Sequence, residues 1–131
     1  MTFLADTHIL IWALNQPTRL PETIRRCLED TTSRCLYSPV SIWDMSTKYG
    51  LGKLTFMGHT PEAFMDALEA SFFECLPLDG LTVATSYRLP RLHGDLFSRL
   101  LIWQAISAKV TLLSADTDTD QYVPLGLTVI H

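Results

Sequence analysis

The chain has 131 residues, of which 47% are hydrophobic and 18% are charged, and its formal net charge is −4. These values predict one domain, residues 1–131, with a sizeable core, and they exclude intrinsic disorder. The acidic excess argues against a protein that grips long stretches of nucleic acid with a basic face, but it is compatible with a small site that touches a few phosphates.

The first half of the chain alternates apolar runs with segments of helical period. A buried strand is predicted at 2–5, a helix at 7–15 and a second helix at 21–30. A strand at 34–38 then precedes a helix at 39–48. The apolar face predicted for this last helix carries three residues: Val40, Trp43 and Thr47.

The second half continues the alternation. Its clearest helix is predicted at 60–72, with Thr60 as the N-cap. The elements predicted after it are a strand, two helices and two strands: 73–78, 79–89, 94–110, 111–115 and 127–131. In the long helix five residues are expected to face inward: Leu96, Leu100, Trp103, Ile106 and Ser107.

Strands that are separated by helices and apolar on both faces indicate a parallel sheet covered on both sides. The predicted fold class is therefore α/β, with a central parallel sheet of about five short strands.

The cellular compartment is predicted from what the sequence lacks. No apolar run approaches the length of a membrane span, and no basic segment precedes the early Asp6, so that no signal peptide is expected. The odd number of cysteines predicts three reduced, mostly buried thiols in a cytoplasmic protein: Cys27, Cys35 and Cys75.

Four acidic residues stand out by position. Asp6 and Asp116 directly follow predicted strands, where functional groups gather in open α/β sheets, although Asp is also a common N-cap. Asp44 lies within a helix, where a solvated face is the alternative, and Asp95 begins a helix, where a cap is the alternative. If the four carboxylates cluster, they repel each other, and a hard cation such as Mg²⁺ or Mn²⁺ removes that penalty.

Four stretches, in this order and spacing, resemble the PIN-domain ribonucleases, and among them the VapC-type toxins of bacterial toxin–antitoxin pairs: "FLADTHILIWAL", "SPVSIWDMSTKYGLGKL", "LPRLHGDLFSRLLIWQA" and "LLSAD". The resemblance covers nearly the whole chain and implies a three-layer α/β/α fold. It also implies an Mg²⁺- or Mn²⁺-dependent phosphodiesterase that acts on RNA, a homodimeric toxin, and a cognate antitoxin that blocks the site.

The resemblance assigns the acids residue by residue. Asp6 matches the first acid, Asp116 matches the fourth, and Asp44 stands where the second is usually Glu. Ser98 replaces the usual third acid, while Asp95 lies one turn upstream on the same helix face. The implied catalytic residues are Asp6, Asp44, Asp95 and Asp116, and the implied metal ligands are Asp6, Asp95 and Asp116. Metal binding is expected to be weak unless Asp95 takes over from the missing acid.

Other polar residues have two interpretations each. Thr7 and Ser114 hydrogen-bond either the acids or backbone groups, and Arg99 reaches the cluster or a phosphate, or forms a surface salt bridge. Asp118 and Asp120 assist the acids or only begin a helix. Two histidines without metal-ligand spacing are expected at surface or cap positions: His8 and His93.

Three function classes follow. The first is the metal-dependent ribonuclease, and the second is a degenerate PIN domain that acts by binding RNA or protein, an alternative kept open by Ser98. The third, a phospho-acceptor domain, needs a Lys at a late strand end, which 127–131 does not supply. A P-loop motif is absent. Self-association is also predicted from apolar residues that short helices would expose, with burial in the core as the alternative: Trp12, Trp43, Phe56 and Phe64.

Overall fold

The computed structural model describes residues 1–54, 59–92 and 94–131. Within these ranges the β-strands are Thr2–Ala5 (β1), Arg34–Tyr37 (β2), Glu74–Cys75 (β3), Thr111–Leu113 (β4) and Val129–Ile130 (β5). The α-helices are Thr7–Asn15 (α1), Glu22–Glu29 (α2), Pro39–Gly50 (α3), Pro61–Glu69 (α4), Gly80–Thr85 (α5) and Leu96–Ala108 (α6). Three 3₁₀ segments lie at Pro17–Arg19, Ser86–Arg88 and Thr117–Leu125.

The five strands form one parallel sheet in the order β3-β2-β1-β4-β5. The central strand β1 pairs on both sides, so that Leu4 lies between Leu36 and Leu112. At the carboxyl end of this pairing Ala5 lies beside Leu113. The residues that follow β1 and β4 therefore emerge side by side at one edge of the sheet, and the predicted α/β class with a parallel sheet is confirmed.

Successive residues of β1 point into two different cores. Phe3 and Ala5 pack in a cluster that includes residues of α1, α2 and α4. Leu4 packs in a second cluster, to which α6 contributes most of the helical residues. This alternation places helices on both faces of the sheet, which gives the three-layer α/β/α arrangement that the resemblance implied.

Short polar residues cap the first turns of several helices. The side chain of Asp6 accepts a hydrogen bond from the Ile9 N–H of α1 at 3.0 Å. Ser38 caps α3 in the same way through Val40, with a proline at the first helical position. The predicted cap Thr60 is confirmed by its bond with Ala63 at 3.2 Å. These caps satisfy N–H groups that have no partner within the helix.

Most elements differ by a few residues from the predicted bounds, and three of them differ in a way that has a structural reason. The strands predicted at 73–78 and 127–131 shorten to β3 and β5, which form the two edges of the sheet and pair on one side only. The helix predicted at 79–89 divides into α5 and the 3₁₀ turn Ser86–Arg88, and the 3₁₀ segment Thr117–Leu125 was not predicted. No helix in the described part of the chain is both long and apolar enough to cross a bilayer.

Several side chains lie on a different face from the one predicted. Leu96 and Ser107 of α6 are exposed, because this helix is apolar on nearly all sides and periodicity does not identify its buried face. Trp43 of α3 is 50% exposed rather than inward-facing. Phe64 is buried, contrary to the expectation that α4 would expose it. Phe56 lies outside the described residues.

The cysteine prediction is correct only in part. Within the described chain Cys27, Cys35 and Cys75 are all free thiols. Cys35 is buried, but Cys27 is half-buried and Cys75 is exposed, because Cys75 lies on the short edge strand β3.

Candidate active site

Asp6 is placed at the carboxyl edge of the sheet by β1. Its backbone N–H donates to the Leu113 carbonyl of β4 at 3.0 Å, and its side chain caps α1. Burial raises the pKa of Asp6, and the negative charge of Asp116 raises it further. Hydrogen bonds from Ser114 and the Ile9 N–H, together with the charge of His8, act in the opposite direction without cancelling the rise.

Asp116 follows β4, the strand next to β1. Its Oδ1 atom accepts a hydrogen bond from the Asp118 N–H at 2.9 Å and so caps the 3₁₀ segment Thr117–Leu125. The backbone N–H of Asp116 donates to the Ser114 hydroxyl at 3.0 Å. Ser114 thus holds the start of the segment that carries Asp116, and its hydroxyl also lowers the pKa of Asp6.

Asp44 is buried on α3, only 4% exposed, and the alternative of a solvated polar face is wrong. The Nζ atom of Lys48, one helical turn further on, lies 2.8 Å from its Oδ1 atom and forms an ion pair with it. Sequence reasoning missed Lys48, although its spacing of four residues from Asp44 on a predicted helix is a recognisable signal.

Asp95 begins α6 as a cap, and both of its carboxylate oxygens are engaged. Oδ1 accepts from the Phe97 N–H at 3.1 Å, and Oδ2 accepts from the Ser98 hydroxyl at 2.7 Å. Burial opposes ionisation of Asp95, but these hydrogen bonds and the charge of Lys48 outweigh burial and lower its pKa. Ser98 therefore stabilises the carboxylate form of Asp95.

The four acids line one pocket of about 180 Å³, together with Lys48, Ser98 and His8. The capping alternative for Asp6, Asp95 and Asp116 is also correct, since each begins a helical segment. Among residues 1–54, 59–92 and 94–131 no three His, Cys, Asp or Glu side chains converge closely enough to hold a metal ion by themselves.

The charges of the pocket divide into two parts. Lys48 pairs with Asp44 and also acts electrostatically on Asp95. Asp6 and Asp116 repel each other. Among the described residues, His8 acts electrostatically on Asp6 and His131 acts on Asp116. The pocket therefore has a lysine on the side of Asp44 and Asp95, and histidines on the side of Asp6 and Asp116.

Several polar residues around the pocket have structural partners. Thr7 donates to the buried Ser41 hydroxyl at 3.2 Å and ties α1 to α3. Arg99 does not line the acid pocket, and its Nη2 atom donates to the Leu89 carbonyl at 2.7 Å rather than forming a salt bridge with a described residue. His8 is exposed, as expected. His93 lies outside the described residues.

Gln104 was not identified from the sequence, although it lies within the stretch "LLIWQA". It is buried on α6 and donates from Nε2 to the carbonyls of Leu76 and Pro77, each at 3.2 Å. Its Oε1 atom accepts a hydrogen bond from Ser38. Gln104 therefore joins α6 to the start of α3 and to the chain that follows β3, and holds the elements that carry Asp44 and Asp95.

His131 was also missed. Its Nδ1 atom lies 2.7 Å from the Ser114 carbonyl, and its Nε2 atom lies 2.7 Å from Oδ1 of Asp120. Both partners accept hydrogen bonds, and only the imidazolium form donates from both nitrogens. The hydrogen bond with Asp120 accordingly raises the pKa of His131, and burial opposes it. Asp120 is engaged in this pair rather than lining the acid pocket.

The family model of the PIN domain matches residues 3–123. The chain therefore belongs to the PIN domain family, as the four motif stretches predicted. A comparison with curated proteins found no match.

The fold is similar to chains in several solved toxin–antitoxin structures. One is VapBC2 from Rickettsia felis bound to a promoter DNA fragment, with a TM-score of 0.69, 17% identity and coverage of 99% of this chain and 98% of that one. A chain of DNA-bound VapBC from Salmonella typhimurium has a TM-score of 0.66, 19% identity and coverage of 99% and 97%. A chain of VapBC-1 from nontypeable Haemophilus influenzae has a TM-score of 0.68, 14% identity and the same coverage.

Proposed function

We propose that this PIN domain is a metal-dependent endoribonuclease of the VapC type, a toxin that hydrolyses RNA phosphodiesters and is neutralised by a cognate antitoxin. The observation that carries the proposal is the convergence of Asp6, Asp44, Asp95 and Asp116 on one pocket at the carboxyl edge of the sheet. Capping accounts for Asp6, Asp95 and Asp116 one by one, but it accounts neither for Asp44, which lies within α3, nor for the meeting of all four carboxylates at one pocket.

The donor set fits Mg²⁺ or Mn²⁺ in kind. All four acids supply hard oxygen ligands, and the Oδ1 atom of Asp44 is already paired with Lys48, which leaves its other oxygen for a cation or water. Mg²⁺ is commonly held by one or two carboxylates, with water and substrate phosphate completing the shell. Asp6 and Asp116 would hold the ion, Asp95 is the predicted third ligand, and Asp44, one methylene shorter than the usual Glu, would act through water.

When bound, the ion supplies Lewis-acid polarisation of the phosphodiester and lowers the pKa of a bound water. The protein contributes the positioning. Ser114 holds the segment that carries Asp116 by accepting a hydrogen bond from the Asp116 N–H. Ser98 holds Asp95 in its ionised form, and Lys48 keeps Asp44 aligned while placing a positive charge beside the pocket.

The proposed partners follow from the family and from the structural neighbours. The similar chains come from VapBC assemblies, which supports an antitoxin partner in a cytoplasmic toxin–antitoxin pair. A homodimer is supported by the exposed aromatic side chain of Trp43, which packs edge-on against Phe97 with ring centroids 4.7 Å apart.

A second candidate function is favoured by a specific observation. Ser98 stands at the usual position of an acid, and Lys48 already neutralises Asp44. Both changes reduce the negative charge available to a cation. A degenerate PIN domain that binds RNA or protein without cutting is the alternative that these residues support.

The test is cleavage of generic single-stranded RNA with Mg²⁺ or Mn²⁺ by the natural chain and by Asp6→Asn and Asp116→Asn. Asparagine is a good N-cap, so each substitution removes a charge but keeps the helix start. The matched control is Asp79→Asn, which alters the cap of α5 outside the pocket. We expect metal-dependent cleavage that both pocket variants lose and the control retains. Absence of cleavage by the natural chain with either metal would favour the binding module.

A further inference from the structure

A groove of about 350 Å³ lies along α1, directly beside the acid pocket. Its polar lining comes from one helix and the turn that follows it: His8, Trp12, Asn15, Gln16 and Arg19. Its volume lies in the lower part of the range of small-molecule sites, about 300–1,000 Å³. None of the roles assigned above uses this groove.

The floor of the groove is a cation stacked on an indole ring. The Cζ atom of Arg19 lies 4.8 Å from the centroid of the Trp12 ring. Arg19 is exposed, and its Nη1 also donates to Oε1 of Gln16 at 3.2 Å, which steadies the guanidinium. Trp12 packs partly against the core cluster of Phe3, so that its ring is held in place. The result is a positively charged surface that combines a guanidinium with the indole ring beneath it.

His8 connects this surface to the acids. It lines both the groove and the acid pocket, and its ring centroid lies 5.9 Å from that of Trp12, four residues further along α1. The side chains that line the groove within the described chain include no carboxylate, although the whole chain carries a net charge of −4. A negatively charged strand that passes from the acid pocket along His8 therefore enters a groove whose described lining has no carboxylate.

We propose that this groove binds a nucleotide of single-stranded RNA adjacent to the scissile phosphate. Its base stacks on the pair formed by Trp12 and Arg19, and its phosphate pairs with the guanidinium of Arg19. Asn15 and Gln16 line the same groove, and their amide groups supply hydrogen bonds for the edge of the base. Aromatic rings and guanidinium planes are the surfaces on which proteins stack single-stranded bases. The proposal rests on the proposed function in taking RNA as the substrate.

The chemistry of the groove favours RNA over a docked antitoxin helix. A helix in a groove is held by a row of apolar anchors. Here the aliphatic lining among the described residues is limited to Ile11 and Leu54. A stacked cation flanked by an imidazole and two amides suits a base and a phosphate better.

The experiment measures binding separately from cleavage. Fluorescence anisotropy with a labelled single-stranded RNA oligonucleotide in EDTA buffer gives the dissociation constant for the natural chain, Arg19→Ala, Trp12→Leu and Trp12→Phe. We expect Arg19→Ala and Trp12→Leu each to weaken binding about tenfold, within the range that loss of base stacking produces. Trp12→Phe keeps an aromatic face and should retain most of the affinity. Arg19→Ala should also lower the salt dependence, the slope of log K against log salt, by about 0.7 for one lost phosphate contact.

The matched control is Arg88→Ala. Arg88 also lies over an aromatic ring, that of Tyr87 at 6.0 Å, but it lines neither the groove nor the acid pocket. The substitution Arg88→Ala removes the same charge from the chain as Arg19→Ala. Any change in its affinity for RNA therefore reports the effect of net charge alone. Because Arg19 is exposed, Arg19→Ala should fold even if Trp12→Leu does not, and thermal melting checks both variants.

The outcomes separate this proposal from the proposed function. If the natural chain cleaves RNA, the substitutions Arg19→Ala and Trp12→Leu should raise KM for the RNA and leave kcat unchanged. Cleavage with equal RNA affinity in Arg19→Ala, Arg88→Ala and the natural chain would overturn the groove and leave the nuclease standing. Groove-dependent RNA binding without any cleavage would support the groove and overturn the nuclease. Unchanged RNA binding with lost capture of a co-expressed antitoxin would assign the groove to protein contact and overturn its RNA role.

Discussion

The ammonium of Lys48 lies 2.8 Å from Oδ1 of Asp44, on the inner face of α3. The carboxylate is buried, whereas the lysine side chain is 36% exposed, so this pair spans the boundary between the core and the acid pocket. The chain therefore carries its own counter-ion on one side of a site whose other side, Asp6 and Asp116, is acidic. Lys48 thus neutralises Asp44 and leaves Asp6 and Asp116 for the metal ion that we propose.

Replacing Lys48 with Met should leave the Asp44 carboxylate buried without its partner. We expect the free energy of unfolding to fall by about 2 kcal/mol, less than the 3–5 kcal/mol for a fully buried pair because Lys48 is partly solvated. Chemical denaturation measures this loss, and added Mn²⁺ should restore part of it. The double variant Asp44→Leu/Lys48→Met is the control, since it removes both charges and should be closer to the natural stability. Equal losses in the single and double variants would contradict a role of the ion pair.

Replacing Ser98 with Asp restores the acid that is usual at this position. The change removes the hydrogen bond to Asp95 and brings two carboxylates together, so the metal-free protein should lose about 2 kcal/mol of stability. Metal affinity should rise with ligand charge, and Mn²⁺ should then stabilise the variant more than the natural chain.

Thermal melting with and without Mn²⁺, together with RNA cleavage, measures both effects of Ser98→Asp. Ser98→Ala serves as the control that removes the hydrogen bond without adding charge. If the natural chain cleaves strongly and Ser98→Asp adds nothing, Asp95 has already taken over from the missing acid.

Asp6→Asn should stabilise the protein while abolishing cleavage. Burial raises the pKa of Asp6 above its usual 3.8, so ionisation costs more in the folded chain than in the unfolded chain. This penalty is absent well below pH 3.8, grows between 3.8 and the raised folded pKa, and is complete above the folded pKa. We expect a gain of about 1 kcal/mol at pH 7, a size typical of relieved active-site charges, and almost none at pH 3. Denaturant titrations at pH 7 and pH 3 measure the gain in free energy of unfolding. An equal gain at both pH values would refute the link to ionisation of Asp6.

The pair of His131 and Asp120 should stabilise the fold in acid more than in base. The pKa of His131 is raised above 6.5 in the folded chain, so its stabilising effect is complete below 6.5 and disappears as pH rises through the folded value. Because both side chains are partly solvated, the effect should be about 0.5–1 kcal/mol. Stability measured from pH 5.5 to pH 8.5 should decline less in His131→Gln. A parallel decline in both proteins would remove His131 as the cause.

The exposed ring of Trp43 should mediate self-association. Multi-angle light scattering at micromolar concentration is expected to give the mass of a dimer for the natural chain and a lower mass for Trp43→Glu. Tyr87→Glu, which alters another exposed aromatic residue, is the comparison variant. A monomer mass for the natural chain would overturn this expectation.

Local patterns in the sequence were sufficient for the class of fold and for the acids at strand ends. Asp6 and Asp116 each end an apolar run and begin a helical segment, and both features depend on neighbours within a few residues. Thr60 was identified as a cap for the same reason. Parallel pairing then brings the ends of β1 and β4 to one edge of the sheet, as the alternation of strands and helices predicts.

The partners of the acidic residues in and beside the pocket became known only from the tertiary structure. The Ser98 hydroxyl bonds Asp95, Lys48 lies in the acid pocket, and His131 reaches the segment after β4 from the far end of the chain. The periodicity of the sequence also placed Trp43 on a buried face, whereas its side chain is half exposed. The physical reason is that helices such as α6 are apolar on nearly all sides, so their buried face is set by packing against distant elements rather than by local spacing.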